Sequence, residues 1–177
     1  MVYFELMSGK HIELAWRFHV SSLSCDNPEY YRQYLAFSAT SDHSIGMGVT
    51  HILAEHDEND NATAIIGYVT LRTSSFTSRA EDGKKICNPS LEIAELAVDE
   101  QYEGKGYGRT LVNYAIAMAD CIRNEFVALK HICLCADPRA VEFYVKNRFN
   151  KLEDYYEMPY DGSNNDCTPM YLTLPDL

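Results

Sequence analysis

The sequence has few basic residues and no long apolar run. Lys and Arg total 15 against 26 Asp and Glu, so the formal net charge is -11. Such a surface repels phosphate backbones, which makes nucleic acid a poor candidate partner. It would favour a cationic substrate such as an amine, although plain solubility is the more common reason for such a charge. No apolar run approaches the length of a membrane span, and the N-terminus lacks the apolar core of a signal peptide. We therefore expect a cytoplasmic protein with no membrane partner.

The six cysteines lack the spacing of a metal site. Without an export signal, free thiols in a reducing compartment are expected. Cys133 and Cys135 alternate along an apolar run, so they should share one face of a strand. We therefore predict structural thiols and no bound metal.

No internal repeat or domain boundary interrupts the 177 residues, which suit a single domain over 1–177. The patterns predict an α/β protein with strands at Tyr3–Met7, Val49–Ala54, Ala64–Thr73, from Ser90 onward, His131–Ala136, Phe149–Leu152 and Met170–Leu174. They predict helices at His11–His19, from about Pro28, from about Tyr107 and at Arg139–Asn147. Loops are expected at Ala39–Gly48, Ser74–Pro89 and Met158–Thr168.

The strand after Ser90 changes its apolar phase. Leu91 and Ile93 are apolar on one face, whereas Leu96 and Val98 fall on the other. A β-bulge around Ala94-Glu95 would produce this slip, and bulges are common beside active sites. A strand buried on both faces is the alternative.

A glycine-rich turn, QYEGKGYG, follows Asp99 and opens the helix that begins near Tyr107. Free N–H groups and the helix dipole make such a turn an anion site. Lys105 and Arg109 add positive charge. The spacing fits neither the P-loop nor the full dinucleotide fingerprint, so the turn alone identifies no ligand.

Two segments, EIAELAVDEQYEGKGYGRTLV (92–112) and ADPRAVEFYVKNRF (136–149), together resemble the GNAT superfamily of acyl-CoA-dependent N-acetyltransferases. The resemblance implies a mixed, mostly antiparallel central sheet of about six to seven strands, flanked by helices and splayed at the acetyl-CoA site. Acetyl-CoA would be the acyl donor and cosubstrate. The residues implied in coenzyme binding are Leu96, Ala97 and Val98 beside pantetheine, Gly104, Lys105, Gly106, Tyr107, Gly108 and Arg109 at the pyrophosphate, and Asp137.

Three positions depart from the family pattern. Glu103 occupies the usual Gln/Arg position if Gly106 and Gly108 are the signature glycines, and a competing register begins at Gln101 instead. Asp137 stands where the family often has Asn. Arg148 replaces the Gly before Phe149, so the preceding helix should end with some strain.

Direct acetyl transfer needs a base for the amine and an acid for the departing thiolate. Glu92 matches the catalytic glutamate of the lysine-acetylating branch, while Glu95, next to the inferred bulge, is the other candidate base. Tyr144 matches the family tyrosine that acts as general acid. Simpler interpretations are a solvated glutamate and a core aromatic.

Three functions are compatible with these features. The first is an N-acetyltransferase acting on a primary amine, either a small molecule or a protein lysine or N-terminus. The second is a toxin-like acetyltransferase of aminoacyl-tRNA, which would need a basic face and tends to lack a counterpart of Glu92. The third is an inactive acyl-CoA-binding module. The acceptor and the oligomeric state, a homodimer included, stay open.

Overall fold

The computed structural model describes residues 1–80, 82–152 and 167–175. Its strands are β1 (Val2–Leu6), β2 (Val49–His56), β3 (Ala62–Arg79), β4 (Lys85–Val98), β5 (His131–Ala136), β6 (Asn150–Lys151) and β7 (Thr168–Thr173). Its α-helices are α1 (Ile12–Ala15), α2 (Pro28–Gln33), α3 (Ala39–Ile45), α4 (Tyr107–Glu125) and α5 (Val141–Lys146). Short 3-10 turns cover Gly9–His11 and Glu100–Tyr102, and a π-helical turn covers Tyr34–Ser38. No helix among the described residues is long and apolar enough to cross a membrane.

Within the described residues, seven strands form one mixed sheet in the order β1-β2-β3-β4-β5-β7-β6. The pairs β1–β2, β2–β3, β5–β7 and β6–β7 are antiparallel, and β4–β5 is parallel. The β4–β5 register runs from Ser90, opposite His131, to Glu92, opposite Cys133, whereas β4 itself continues to Val98. This short parallel ladder agrees with the predicted mostly antiparallel, splayed sheet.

The chain divides into two compact units, with the boundaries inside β3, β4 and α4. The first unit is Met1–Arg72 with Ala94–Tyr114, and the second is Thr73–Ile93 with Ala115–Leu177. The expectation of a single domain over 1–177 stays a prediction.

The core of the first unit joins β2, β3 and the end of β4 to α1, the π-helical turn and α3. Apolar side chains at strand and helix spacing remove the most surface from water there, which is the main source of stability. The buried residues of this cluster are Met7, Ala15, Phe18, Leu35, Ala36, Ala39, Ile52, Ala54, Ile65, Tyr68 and Ala97.

Two predicted loops are wrong. The polar segment 39–48 begins with α3, which ends at Gly46 in the left-handed conformation, φ 76°, the usual end of a helix. The segment 74–89 is mostly strand, because β3 runs to Arg79 and β4 starts at Lys85. Neither segment has a continuous apolar face in the sequence, so its many polar side chains led to the prediction of a loop.

Two helices are shorter in the structure than the sequence periodicity predicted. The segment His11–His19 contains only the last residue of a 3-10 turn and the four residues of α1, and the helix predicted at Arg139–Asn147 covers Val141–Lys146. The strand predicted at Phe149–Leu152 is the two-residue β6. The loop predicted at Met158–Thr168 lies mostly outside the described residues.

The long helix α4 has the predicted apolar face. Leu111 and Val112 are buried in the first unit, and Ala115 and Ala119 are buried in the second. Because these positions recur three and four residues apart, one stripe of the helix lies against the protein and the opposite stripe stays exposed.

The prediction that all cysteines are free thiols is wrong, because the second unit contains a disulfide. Cys135 lies in β5, and Cys167 directly precedes β7, the antiparallel neighbour of β5. Their Cα atoms are 5.5 Å apart, and the two residues form a disulfide. Cys25, Cys87, Cys121 and Cys133 are free thiols. Cysteine spacing along the chain could not show this pairing, because the sheet brings together positions 32 residues apart.

Candidate active site

The glycine-rich turn of the first unit has the geometry of an anion site. Gly104 and Gly106 adopt positive φ values of 72° and 89°, a conformation that side chains rarely adopt. A Cβ atom at either glycine would meet nothing within 4 Å, so the turn is open on its outer side. The helix α4 then begins at Tyr107 with no acidic residue in its first turn. The unpaired N–H groups at this helix start can therefore face an anion.

The charged residues of the turn are held by specific contacts. The Lys105 ammonium donates a 2.9 Å hydrogen bond to the carbonyl of Gln101 and lies 5.1 Å from the ring centre of Tyr102. Glu103, the residue that departs from the family pattern, accepts a 2.9 Å hydrogen bond from the Ser24 hydroxyl. This bond gives the Glu103 carboxylate a protein partner.

Asp99 holds the start of the glycine-rich turn through hydrogen bonds. A role for this residue was not predicted from the sequence. Its buried carboxylate accepts hydrogen bonds from the backbone N–H groups of His19 at 2.9 Å and Gln101 at 3.0 Å. The Asp99 N–H donates to the carbonyl of Ile66 at 2.9 Å. The signal available in the sequence was an Asp between a strand and a turn, a common capping position.

The segment Leu96–Val98 lies at the end of β4. Ala97 is buried in the core, whereas Leu96 and Val98 are half-buried. Gly67 on β3 allows the backbone to approach, because a Cβ atom there would lie 2.8 Å from the carbonyl oxygen of Ala97 and 3.0 Å from Cδ1 of Leu111. In β3 the register shifts beside Gly67. The bulge predicted at Ala94-Glu95 of β4 stays a prediction.

Glu95 of β4 is hydrogen-bonded to a residue of α2. Its Oε1 accepts a 2.6 Å hydrogen bond from the hydroxyl of Tyr30 in α2. Burial, and then the negative charge of Glu95, raise the pKa of Tyr30 far above its ordinary value. Tyr30 lies in the helix that the sequence predicted from about Pro28, but no sequence pattern identified it as the partner of a candidate catalytic residue.

Glu92 lies in the second unit, between Leu91 and Ile93, and opposite Cys133 of β5. Its side chain is buried, as are those of both neighbours. A buried carboxylate needs compensating hydrogen bonds or charges. The interpretation of Glu92 as a solvated residue at a strand end is therefore wrong.

Tyr144 and Asp137 also belong to the second unit. Tyr144 is buried in α5, with its ring 5.0 Å from that of Phe143 and 5.5 Å from that of Phe149. The Asp137 carboxylate accepts a 2.9 Å hydrogen bond from the Arg139 N–H, so it caps the turn that leads into α5. Each residue thus has a structural position that is independent of coenzyme.

The predicted residues therefore form two groups. The first unit contains the turn at 104–109, the segment Leu96–Val98 and Glu95, and the second contains Glu92, Asp137 and Tyr144. Across residues 1–80, 82–152 and 167–175, no group of three or more His, Cys, Asp or Glu side chains could hold a metal ion.

Comparisons with known proteins agree with this architecture. The model of the acetyltransferase (GNAT) family matches residues 11–149. A search of the curated proteins found no match.

Three of the similar solved structures concern the toxins AtaT and KacT. A mutant AtaT bound to the C-terminus of the antitoxin AtaR and to acetyl-CoA is 19% identical, with a TM-score of 0.72 over 97% of this chain and 92% of that one. AtaT complexed with acetyl-methionyl-tRNAfMet is 20% identical, with a TM-score of 0.72 over 96% and 94%. The KacTA–DNA complex is 18% identical, with a TM-score of 0.67 over 98% and 93%. At these identities the likeness concerns the fold.

Proposed function

The chain belongs to the GNAT acetyltransferase family, and from that premise we propose that it transfers the acetyl group of acetyl-CoA to a primary amine. The observation that carries the proposal is the pair of left-handed glycines, Gly104 and Gly106, at the open N-terminus of α4. This is the feature by which a folded chain binds a pyrophosphate through its backbone.

The residues of the first unit fit coenzyme A. N–H groups from Gly104 to Arg109 would hold the pyrophosphate, and the first turn of α4 has no carboxylate to oppose it. The half-buried Leu96 and Val98 would present backbone groups to pantetheine in the manner of an added strand. When bound, acetyl-CoA supplies an acetyl thioester whose carbonyl carbon is the point of attack.

Side chains of this protein would act as the general base and the general acid of the reaction. Glu92 or Glu95 would take the proton from the acceptor nitrogen, because an ammonium group is not nucleophilic. Tyr144 would hold its hydroxyl proton for the leaving group. Burial of Glu92 supports its role, since a carboxylate is seldom removed from water without a structural or functional reason.

Aminoacyl-tRNA is a second candidate acceptor. Its reactive group is also a primary amine, and AtaT has a similar fold and was solved with acetyl-methionyl-tRNAfMet. The net charge of -11 opposes binding to a phosphate backbone, but it describes the whole chain and not the surface beside the site. Charge alone therefore does not exclude nucleic acid.

The test is an acceptor panel of small amines, lysine peptides and aminoacyl-tRNA, followed by release of free thiol from acetyl-CoA. We expect thiol release with one class and none without an acceptor. No release with any class would favour the inactive acyl-CoA-binding module.

The coenzyme site has its own test. Gly106→Ala should weaken acetyl-CoA binding about tenfold, because alanine disfavours the left-handed conformation by roughly 1–2 kcal/mol and the unbound turn would relax into another conformation that binding must reverse. Gly9→Ala is the matched control, because a Cβ there also meets nothing within 4 Å and its φ is not positive. A structure with bound coenzyme A whose pyrophosphate lay away from 104–109 would overturn the assignment.

A further inference from the structure

Asp99, which lies between β4 and the glycine-rich turn, binds backbone groups of two separate segments through its carboxylate. Its Oδ2 accepts from the N–H of His19 at 2.9 Å, and its Oδ1 accepts from the N–H of Gln101 at 3.0 Å. Asp99 is 4% exposed, so both hydrogen bonds lie largely out of water. Because a hydrogen bond to a charged acceptor is stronger than one between neutral groups, Asp99 attaches both segments firmly.

The backbone of Asp99 adds two further hydrogen bonds. Its N–H donates to the carbonyl of Ile66 in β3 at 2.9 Å, and its carbonyl accepts from the N–H of Tyr102 at 2.9 Å. The next residue, Glu100, donates its N–H to the carbonyl of His19 at 2.8 Å. Asp99 therefore joins β3, the segment at His19 and the first residues of the turn, all within the first unit.

The part of the turn assigned to the pyrophosphate follows soon after Asp99. Gly104 and Gly106 have no side chain that could hold them, and glycine loses more conformational freedom on ordering than any other residue. Their left-handed conformations therefore depend on the segments on either side, which are α4 and the residues attached through Asp99. A turn that has its binding conformation before the ligand arrives needs no part of the binding free energy for its ordering.

We propose that Asp99 is a positioning residue for the coenzyme: its carboxylate fixes the start of the glycine-rich turn, so that the N–H groups at 104–109 are already placed for the pyrophosphate of acetyl-CoA. The inference rests on the proposed acetyl transfer and identifies a residue on which its coenzyme affinity depends. Ionised Asp99 has the same sign of charge as the pyrophosphate. It therefore acts through the backbone of the turn and not by contact with the ligand.

The first test is acetyl-CoA binding by Asp99→Asn, measured by calorimetry on the full chain. Asparagine has nearly the same shape but only one side-chain oxygen, so one of the two N–H donors would face an NH2 group in place of an acceptor. The turn should then leave its binding conformation for part of the time, and the affinity falls in proportion to the fraction that stays competent. We expect acetyl-CoA to bind about tenfold more weakly than to the wild type.

Asp57→Asn is the matched control. Asp57 also holds a turn of the first unit, because its Oδ1 accepts from the N–H groups of Asn59 at 2.8 Å and Asn61 at 2.9 Å. That turn joins β2 to β3 and contains none of the residues assigned to the coenzyme. Asp57→Asn should therefore bind acetyl-CoA within about twofold of the wild type. Wild-type affinity in Asp99→Asn would overturn the inference.

Amide hydrogen exchange needs only the wild type, so it decides the matter even if Asp99→Asn does not fold. In the protein without ligand, the amides of His19 and Gln101 should exchange at least about 100-fold more slowly than in an unfolded chain, because both donate to the buried carboxylate. Acetyl-CoA should change these two rates little, since the turn is already formed. Unprotected amides in the protein without ligand would show that Asp99 does not hold the turn before binding, and the inference would be wrong.

Kinetics separate positioning of the turn from a general loss of structure. The acyl donor is either acetyl-CoA or S-acetylpantetheine, which has the same thioester but no pyrophosphate. Asp99→Asn should raise KM for acetyl-CoA about tenfold, keep kcat within about threefold, and leave kcat/KM for S-acetylpantetheine close to wild type. An equal fall in kcat/KM with both donors would indicate a general structural role and contradict the inference.

The wild type distinguishes failure of this inference from failure of the proposed function. If it does not bind acetyl-CoA, the proposed function fails, and the positioning role fails with it. If it binds acetyl-CoA and Asp99→Asn binds equally well, the positioning role alone fails. If no acceptor releases thiol, calorimetry and amide exchange still decide the role of Asp99.

Discussion

The backbone N–H of Phe149 donates a 3.0 Å hydrogen bond to the carbonyl of Tyr144 across the end of α5. A second bond, also 3.0 Å, joins the N–H of Arg148 to the carbonyl of Val145. The pair forms a Schellman motif, which normally has glycine where this chain has Arg148. Arg148 has a φ of 69°, so the strain predicted from the sequence is confirmed. The turn of helix that contains Tyr144 is thus closed by a residue in an unfavourable conformation.

Arg148→Gly should stabilise the protein by about 1 kcal/mol, because glycine adopts the left-handed conformation without a Cβ penalty. The measurement is the free energy of unfolding in urea. Arg148→Ala keeps the Cβ atom and removes the rest of the side chain, so it should bring no comparable gain. A glycine variant no more stable than the alanine variant would show that the arginine side chain, and not the backbone, determines stability here.

Gly67→Ala should be destabilising by about 1–3 kcal/mol, since the new methyl group would overlap the carbonyl oxygen of Ala97 and press on Leu111. Any relief would move Leu96–Val98, so acetyl-CoA binding should weaken as well. Unfolding and coenzyme titration measure the two effects.

The same substitution at Gly9, where a Cβ meets nothing within 4 Å, is the control for Gly67→Ala. It should leave stability and coenzyme binding close to wild type. If Gly67→Ala bound acetyl-CoA as tightly as the wild type does, the end of β4 would take no part in the coenzyme site.

Tyr144→Phe removes one buried hydroxyl and keeps the ring that packs on Phe143 and Phe149. Coenzyme affinity should stay nearly intact. Turnover should fall about 100-fold or more, the usual contribution of a general acid. Turnover on the responsive acceptor is the measurement, and an unchanged rate would remove the acid role.

The parts of this fold that the sequence predicted depend on local pattern. The glycine turn and α4 could be located because their signals lie within about twenty residues, where helical periodicity and φ preferences act. The contacts that the sequence missed join distant positions: Tyr30 to Glu95, His19 to Asp99, and Cys135 to Cys167. No local pattern specifies such pairs, because they depend on which strand each segment follows in the sheet.

The predicted family and its acetyltransferase activity are confirmed by the match over residues 11–149. The motifs around 92–112 and 136–149 carried that prediction because the chemistry of the coenzyme constrains them. Acceptor recognition is not constrained in this way. The contact between Tyr30 of α2 and Glu95 of β4 likewise has no local signal in the sequence, because only the folded chain brings the two residues together.

The disulfide predicts a definite thiol count. In denaturant without reductant, four thiols should react, from Cys25, Cys87, Cys121 and Cys133, and reduction should raise the number to six. Cys135→Ser should lower the free energy of unfolding by about 3 kcal/mol under oxidising conditions, because the bond closes a loop of roughly thirty residues. Cys121→Ser, at an exposed free thiol, is the control. Six reactive thiols before reduction would contradict the pairing.

His131 should make stability depend on pH. Its buried ring lies 4.9 Å from the ring of Phe76, with Nδ1 3.1 Å from the Thr173 hydroxyl. Burial, and then the charge of Lys130, lower its pKa from 6.5 to about 4. Between these values the unfolded chain binds a proton that the folded chain does not. The stabilisation is therefore complete above pH 6.5 and is lost as the pH falls toward 4.

At pH 5 the loss relative to pH 7.5 should be on the order of 1–2 kcal/mol, measured as the free energy of unfolding in urea. His131→Gln cannot titrate but can still bond to Thr173, so its stability should fall less over the same range. Burial also lowers the pKa of His11, which acts in the same direction. That contribution is common to both proteins, and the difference between them isolates His131. An equal fall in both would mean that His131 takes up its proton in the folded state as readily as in the unfolded chain.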